Sequence, residues 1–223
     1  MSERFNPPPQ KYCILLSKLE ETLRPDQTGH GFIHGLRTRR FAEIIAEGEN
    51  IDHISLRLAA EAHDAQRPFE KATGLSHYGH QAIDRTRELF FQSGFKKAEI
   101  LPVLELIAVH DITSWEKLIS LSREAQILIE ADNLDALGYV GIRRTIAYAK
   151  AFGQKVYSED SRSLYDHMKQ YHLNLAKFFV SPRAIEMAKP LDKEVQHFLD
   201  ELDKEYEETG KADYDMKVFD LLK

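Results

Sequence analysis

The chain has 223 residues, with 36 acidic against 30 basic side chains and a formal net charge of −6. That deficit of positive charge argues against a general nucleic-acid binder, whose affinity rests on neutralising phosphates, although a few local cations suffice for a small phosphorylated molecule. No run approaches the roughly 20 apolar residues of a membrane span, and the polar, proline-rich stretch Met1 to Gln10 has no apolar signal-peptide core. The single cysteine, Cys13, has no partner for an internal disulfide, and together these features are those expected of a cytoplasmic protein.

Helical spacing of apolar residues runs through nearly the whole sequence. Tyr12, Leu15, Leu16, Leu19 and Leu23 form a stripe that ends near Pro25. A second helix is predicted from about His30 to Glu49, with Leu36, Phe41, Ile44 and Ile45 inward. A third begins after Asp52, a residue suited to an N-cap. Pro68 and Gly74 read as breaks, and a fourth helix covers about His77 to Gln92. Further helices are predicted over about Lys97 to His110, Ser122 to Leu137 and Tyr139 to Phe152, punctuated by Gly138 and Gly153. The stretch from Asp160 to Glu207 is helical again, interrupted near Ser181-Pro182 and at Pro190. The charged tail ends in an amphipathic piece carrying Met216, Val218, Phe219 and Leu221, suited to packing on the body or on a second copy in a homodimer. No segment alternates with period two. The expected fold is all-α, in a single domain spanning residues 1–223.

Unusual polar residues interrupt the apolar pattern in a few places. His30, His34 and Arg37 fall at helical spacing and share one face. His63-Asp64 follows an alanine-rich stretch and is trailed by Arg67. His80 and His110 stand alone on separate helices, and Asp132 and Asp135 follow the apolar run Ile127-Leu128-Ile129. A buried carboxylate costs several kcal/mol unless it is paired or coordinated, so Asp64 and Asp132 look expensive where they stand. A divalent cation would offset that cost, and two imidazoles with two carboxylates suit manganese, iron, cobalt, nickel or zinc. Taken singly, His30 or His77 reads as a solvated or capping histidine. His53, His167, His172 and His197 read as surface residues, and Cys13 as packing.

The order His34, His63-Asp64, Asp132 resembles the H…HD…D signature of the HD superfamily of metal-dependent phosphohydrolases. His30-x-x-x-His34-x-x-Arg37 is similar to the opening motif of a bacterial branch related to nucleotide pyrophosphohydrolases. Ala131-Asp132-Asn133-Leu134-Asp135-Ala136-Leu137-Gly138 with Gly141-Ile142-Arg143-Arg144 is similar to the final motif of that branch. The resemblance covers about residues 26–152 and leaves about 160–223 as a C-terminal helical extension. It implies that His34, His63, Asp64 and Asp132 hold a divalent metal (Mn, Mg, Fe, Co, Ni or Zn). It also implies that His80 and His110 line the site, that Arg67 stands where many relatives have a lysine, and that Arg37 and Arg144 lie near the pocket.

The implied reaction is attack of metal-bound hydroxide on a phosphate ester or anhydride, with a nucleotide or related small molecule as substrate. Arginine and histidine donors would stabilise the developing charge. His30, Arg37 and Arg144 are the candidate substrate contacts, and Asp135, one turn after Asp132, is the candidate for orienting water or a ligand. Three features depart from the branch, one of them the pair Arg37-Thr38 where Arg-Val is usual. Gly31 stands where relatives usually have aspartate, and the segment Ala65-Gln66-Arg67-Pro68 is unusual. They motivate a second reading, a sensor module that holds metal and nucleotide with little turnover.

Overall fold

Asp52 accepts hydrogen bonds from the backbone amides of Ile54 and Ser55 at 3.1 and 3.0 Å and so starts the helix that carries the centre of the fold, α3 (His53–Ala62). The computed structural model describes residues 9–112, 114–155 and 163–209. Before α3 come α1 (Gln10–Leu23) and α2 (Phe32–Ile45). After it come α4 (Arg67–Thr73), α5 (His80–Gln92), α6 (Lys97–Val109), the short α7 (Trp115–Leu118), α8 (Arg123–Asp135) and α9 (Gly138–Ala151). The chain then forms α10 (Leu164–His167), a π-helical turn (Met168–His172), α11 (Leu173–Leu175), a 3₁₀ turn (Ala176–Phe178) and the long α12 (Pro182–Thr209). Among the described residues there is no β-strand, so the fold is all-α as expected. None of their helices is long and apolar enough to cross a membrane. The amphipathic piece from Met216 to Leu221 lies outside the described residues.

The main core joins Leu15 and Leu19 of α1, Ile45 of α2, Leu56 and Ala59 of α3, Phe90 of α5, Ile100 and Ile107 of α6, and Leu128 and Leu134 of α8. A second apolar cluster ties Ile142 and Ala149 of α9 to Leu164, Tyr165 and Met168 and to Val195 and Leu199 of α12. Helix α2 packs on both α3 and α8, and α3 also packs on α6. Gly35 makes the α2–α3 crossing close, because a Cβ there would lie 2.7 Å from the Glu61 carbonyl oxygen. Glu61 itself is buried and satisfied, accepting from Tyr12 Oη at 2.5 Å and Arg39 Nη1 at 2.8 Å, which links α1, α2 and α3.

Two proline readings change. Pro68 does not break the chain but sits in the first turn of α4, where a missing N–H has no intrahelical partner to lose. Pro190 lies inside α12. It is exposed, and the buried residues Ala184, Ala188, Val195 and Leu199 hold the helix down on either side of it. Cys13, expected as packing, is exposed because the buried stripe of α1 runs through Leu15, Leu19 and Leu23.

Candidate metal centre and substrate cavity

Helices α2, α3 and α8 each deliver one part of the site: His34, the end of α3 with His63-Asp64, and Asp132. His34 and His63 are both fully buried, at 2% and 1% exposure. His63 donates from Nδ1 to the Ala60 carbonyl at 2.9 Å, and His34 donates from Nδ1 to Asp135 Oδ2 at 2.7 Å. Both Nε2 atoms are thereby turned inward, and they confront each other at 3.0 Å. Asp132 Oδ1 stands 3.1 Å from His34 Nε2 and 3.6 Å from His63 Nε2, and Asp64 Oδ2 stands 3.4 and 3.5 Å from the same two atoms. Asp64 Oδ2 is buried without a hydrogen-bond partner.

Two imidazole nitrogens and two carboxylate oxygens converging on one point fit a cation, which would take the place of any proton shared among them. Ligand atoms about 2.1 Å from one ion, at right angles to each other, lie about 3.0 Å apart. Burial opposes the charge on Asp64, yet Arg67 and the surrounding imidazoles hold its carboxyl well below the usual range. Burial likewise opposes the charge on Asp132, which the hydrogen bonds to His34 and His63 keep well below that range. On His34 burial and Arg144 work against protonation, but the carboxylates of Asp132, Asp135 and Asp64 prevail and raise it to about 9. The pocket is thus strongly cation-seeking.

A second convergence adjoins the first. His110 donates from Nδ1 to the Ile107 carbonyl at 2.7 Å, and His77 donates from Nδ1 to Glu70 Oε1 at 3.1 Å. Their Nε2 atoms meet at 3.2 Å, and Asp64 Oδ1 lies 3.3 Å from His77 Nε2 and 3.9 Å from His110 Nε2. The two oxygens of Asp64 therefore face two different imidazole pairs. Burial drives His110 down to about 3, so its ring is neutral.

His80, expected to line the site, does not. It is the first residue of α5, its side chain is 91% exposed, and its Nδ1 lies 3.3 Å from Asp84. The histidine on the site is His77, which sits in the loop before Gly79 and is 1% exposed. His172, expected at the surface, is buried at 4% exposure. His53, His167 and His197 are exposed.

Asp135 is turned away from solvent and clamped by several donors. Besides His34 it takes Arg37 Nε on Oδ1 at 2.6 Å, Arg37 Nη2 on Oδ2 at 2.8 Å and Arg144 Nη1 on Oδ2 at 3.0 Å. Four donors therefore hold this carboxylate, three on Oδ2 and one on Oδ1. Asp135 is thus in place to orient His34, and Arg37 is spent on this clamp. Arg144 also donates from Nε to the Gly29 carbonyl at 2.9 Å and brings Nη2 within 3.3 Å of His34 Nε2. Gly29 has φ +87°, and a Cβ on it would lie 3.1 Å from the Arg144 side chain.

Beside Gly31, the Asp26 carboxylate accepts from the amides of Thr28 and His30 at 3.1 and 3.0 Å. It lies 3.7 Å from where a Cβ of Gly31 would stand, so a carboxylate supplied from five residues upstream occupies this corner.

A cavity of about 300 Å³ opens on the centre. It is lined by His30, Arg67, His110, Asp111, Asp132, Asn133 and Arg144, and by Thr145, Tyr148, His167, Tyr171 and His172. Arg67 bonds Asp64 Oδ1 through Nε at 2.8 Å and Glu70 Oε2 through Nη1 at 2.9 Å. These carboxylates outweigh the burial that disfavours its charge, so it remains a cation facing the cavity.

The HD domain family matches residues 31–137, the span that carries these side chains from His34 to Asp135. The uncharacterized protein YpgQ of Bacillus subtilis (strain 168) is 28% identical over 191 residues, covering 84% of this chain and 89% of YpgQ. The crystal structure of YpgQ in complex with ADP is similar with a TM-score of 0.67 at 26% identity, covering 87% of this chain and 94% of that one. An HD-superfamily hydrolase from Bacillus thuringiensis is similar with a TM-score of 0.65 at 23% identity, covering 89% of this chain and 99% of its own. The histidines and aspartates that the fold gathers, from His34 to Asp135, lie within the matched span, and residues 31–137 of this chain form an HD domain.

Proposed function

We propose that the protein hydrolyses a phosphate anhydride or ester of a nucleotide, using divalent cations held around Asp64. The observation that carries this is the partnerless Asp64 Oδ2 among His34, His63 and Asp132 at the floor of a cavity that Arg67 also lines. His34, His63, Asp132 and Asp64 Oδ2 would hold one cation; His77, His110 and Asp64 Oδ1 would help to hold a second. Such cations supply Lewis-acid polarisation of a phosphoryl oxygen and a more acidic water.

The remaining work falls to the protein. Asp135, anchored by Arg37 and Arg144, keeps the Nδ1 proton on His34 and its Nε2 aimed inward, as outer partners do for ligating histidines. Arg67, fixed by Asp64 and Glu70, presents fixed positive charge to non-bridging phosphoryl oxygens. The cavity, about 300 Å³, matches the lower end of small-molecule sites. That YpgQ was crystallised with ADP supports a nucleotide as the ligand here too. Manganese-dependent release of phosphate or pyrophosphate from a panel of nucleoside mono-, di- and triphosphates tests the proposal, with Asp64→Asn as the inactive control. Turnover retained by that variant would contradict it.

A second reading, a module that binds metal and nucleotide without turnover, is favoured by the burial of Asp135 between Arg37 and Arg144, which keeps that carboxylate charged and engaged. ADP binding without product from any substrate of the panel would select it.

A further inference from the structure

The HD match ends at residue 137, yet eight of the residues that line the cavity come from beyond it, among them Arg144, Tyr148, His167, Tyr171 and His172. The matched span contributes most of the charged lining, including Arg67, Asp111 and Asp132. The later chain contributes Arg144 and, on the stretch around residues 167–172 and at Tyr148, a group of rings. The cavity lining thus holds a charged group, Arg67, Asp111, Asp132 and Arg144, and a separate group of rings, Tyr148, His167, Tyr171 and His172.

The aromatic set depends on a local irregularity. Residues Met168–His172 form a single π-helical turn. In an α-helix position 172 would lie about 140° around the axis from position 167. The wider turn, with its i to i+5 repeat, returns it towards the same side. His167 and His172 accordingly meet edge to face at 5.0 Å, while His167 and Tyr171 stack at 5.1 Å with planes 25° apart. Single π turns are rare and concentrate at functional sites. His172 is buried, and its Nε2 lies 3.4 Å from the Thr145 hydroxyl. Burial pushes this imidazole down to about 3, so it is a neutral hydrogen-bonding group. Burial, with Asp132 and Asp111 nearby, raises the Tyr171 phenol to about 12, so it too carries no charge.

We infer that His167, Tyr171 and His172, with Tyr148 of α9, form the subsite for the planar, uncharged base of a nucleotide, while the residues of the HD span take its phosphates. The inference rests on the nucleotide reading above and adds which residues select the base. Rings and neutral polar edges recognise a base by stacking and by hydrogen bonds to its rim, and offer nothing to a bare phosphate chain.

The test compares binding of ADP and of inorganic pyrophosphate to the full chain loaded with manganese, by calorimetry, in wild type, Tyr171→Leu and His167→Ala. His167 is exposed, so its replacement leaves the fold intact even if Tyr171→Leu does not. Each variant should weaken ADP about tenfold or more and change pyrophosphate less than about twofold, in line with stacking of one base. Equal losses for both ligands, or no loss for either, would overturn the inference. Wild type that binds pyrophosphate as tightly as ADP would overturn it while leaving phosphate recognition standing. Wild type that binds neither would overturn the nucleotide reading and this inference with it.

Discussion

His34 and Asp135, 101 residues apart in sequence, are joined by a 2.7 Å hydrogen bond that decides which ring nitrogen of His34 faces the centre. Nδ1 carries the proton toward Asp135, and Nε2 is left to face His63 Nε2 at 3.0 Å. Asp135→Asn keeps the shape but removes the charge that Arg37 and Arg144 also use. Metal affinity should fall about 10- to 100-fold, the usual effect of losing such a partner, with activity restored in part by excess manganese. Manganese titration of activity measures this. An unchanged requirement would show that Asp135 does not position His34.

His77 and His80 are three residues apart and should behave oppositely. His77→Ala removes a ring 3.2 Å from His110 Nε2 and should lower the number of manganese ions retained and cut kcat about 100-fold or more, the low end for a positioned catalytic group. His80→Ala changes a side chain that is 91% exposed and should leave kcat and KM as they are. Steady-state kinetics on the two variants, with metal content, separates them.

Gly35 sets the distance between the helices that carry His34 and His63. In Gly35→Ala the new methyl would start 2.7 Å from the Glu61 carbonyl oxygen, so α2 and α3 must separate. The expected loss is about 1–3 kcal/mol of stability, typical of an overpacked contact, together with weaker metal binding. Denaturant unfolding with and without manganese reports both.

The buried His172 should make the protein acid-sensitive in a definite direction. Its folded value of about 3 lies below the ordinary 6.5 because burial disfavours its charge, so the unfolded chain binds the extra proton first. Its neutral state is fully accommodated above pH 6.5, and stability is lost as the pH falls from there toward 3. Between pH 7 and pH 5 the difference amounts to about 2 kcal/mol. His172→Leu should therefore lose less stability than wild type over that interval. His167 and Arg144, the charged or titratable groups acting on this ring, stay in place in the variant. Metal-free unfolding midpoints at the two pH values give the comparison, and parallel slopes for the two chains would contradict it.

The parts of the fold that sequence made legible are those governed by periodicity and caps. Asp52 and Ser122 are the caps of α3 and α8, and the apolar stripes of α1 and α6 are buried where the spacing puts them. The four residues His34, His63, Asp64 and Asp132 were conspicuous because polar groups in apolar helices need a reason. What stayed hidden lacks such a signal. His77 lies in a loop, where no period says which way a side chain turns, and His80 looked equally suitable. Asp26 reaches its place beside Gly31 through loop geometry, although the spacing Asp26-x-Thr28 is that of a side chain capping its own loop. The clamp on Asp135 depends on Arg37 and Arg144 arriving from two helices. The π turn that gathers His167, Tyr171 and His172 leaves no mark in a pattern read at 3.6 residues per turn.

In the proposed arrangement one carboxylate, Asp64, serves two cations through its two oxygens. Equilibrium dialysis of the metal-free protein against manganese, followed by elemental analysis, tests this most directly when run on wild type beside Asp64→Asn. The account predicts two ions per chain in wild type and loss of both in the variant. Wild type that retains none, or an Asp64→Asn chain that retains as many ions as wild type, would contradict it.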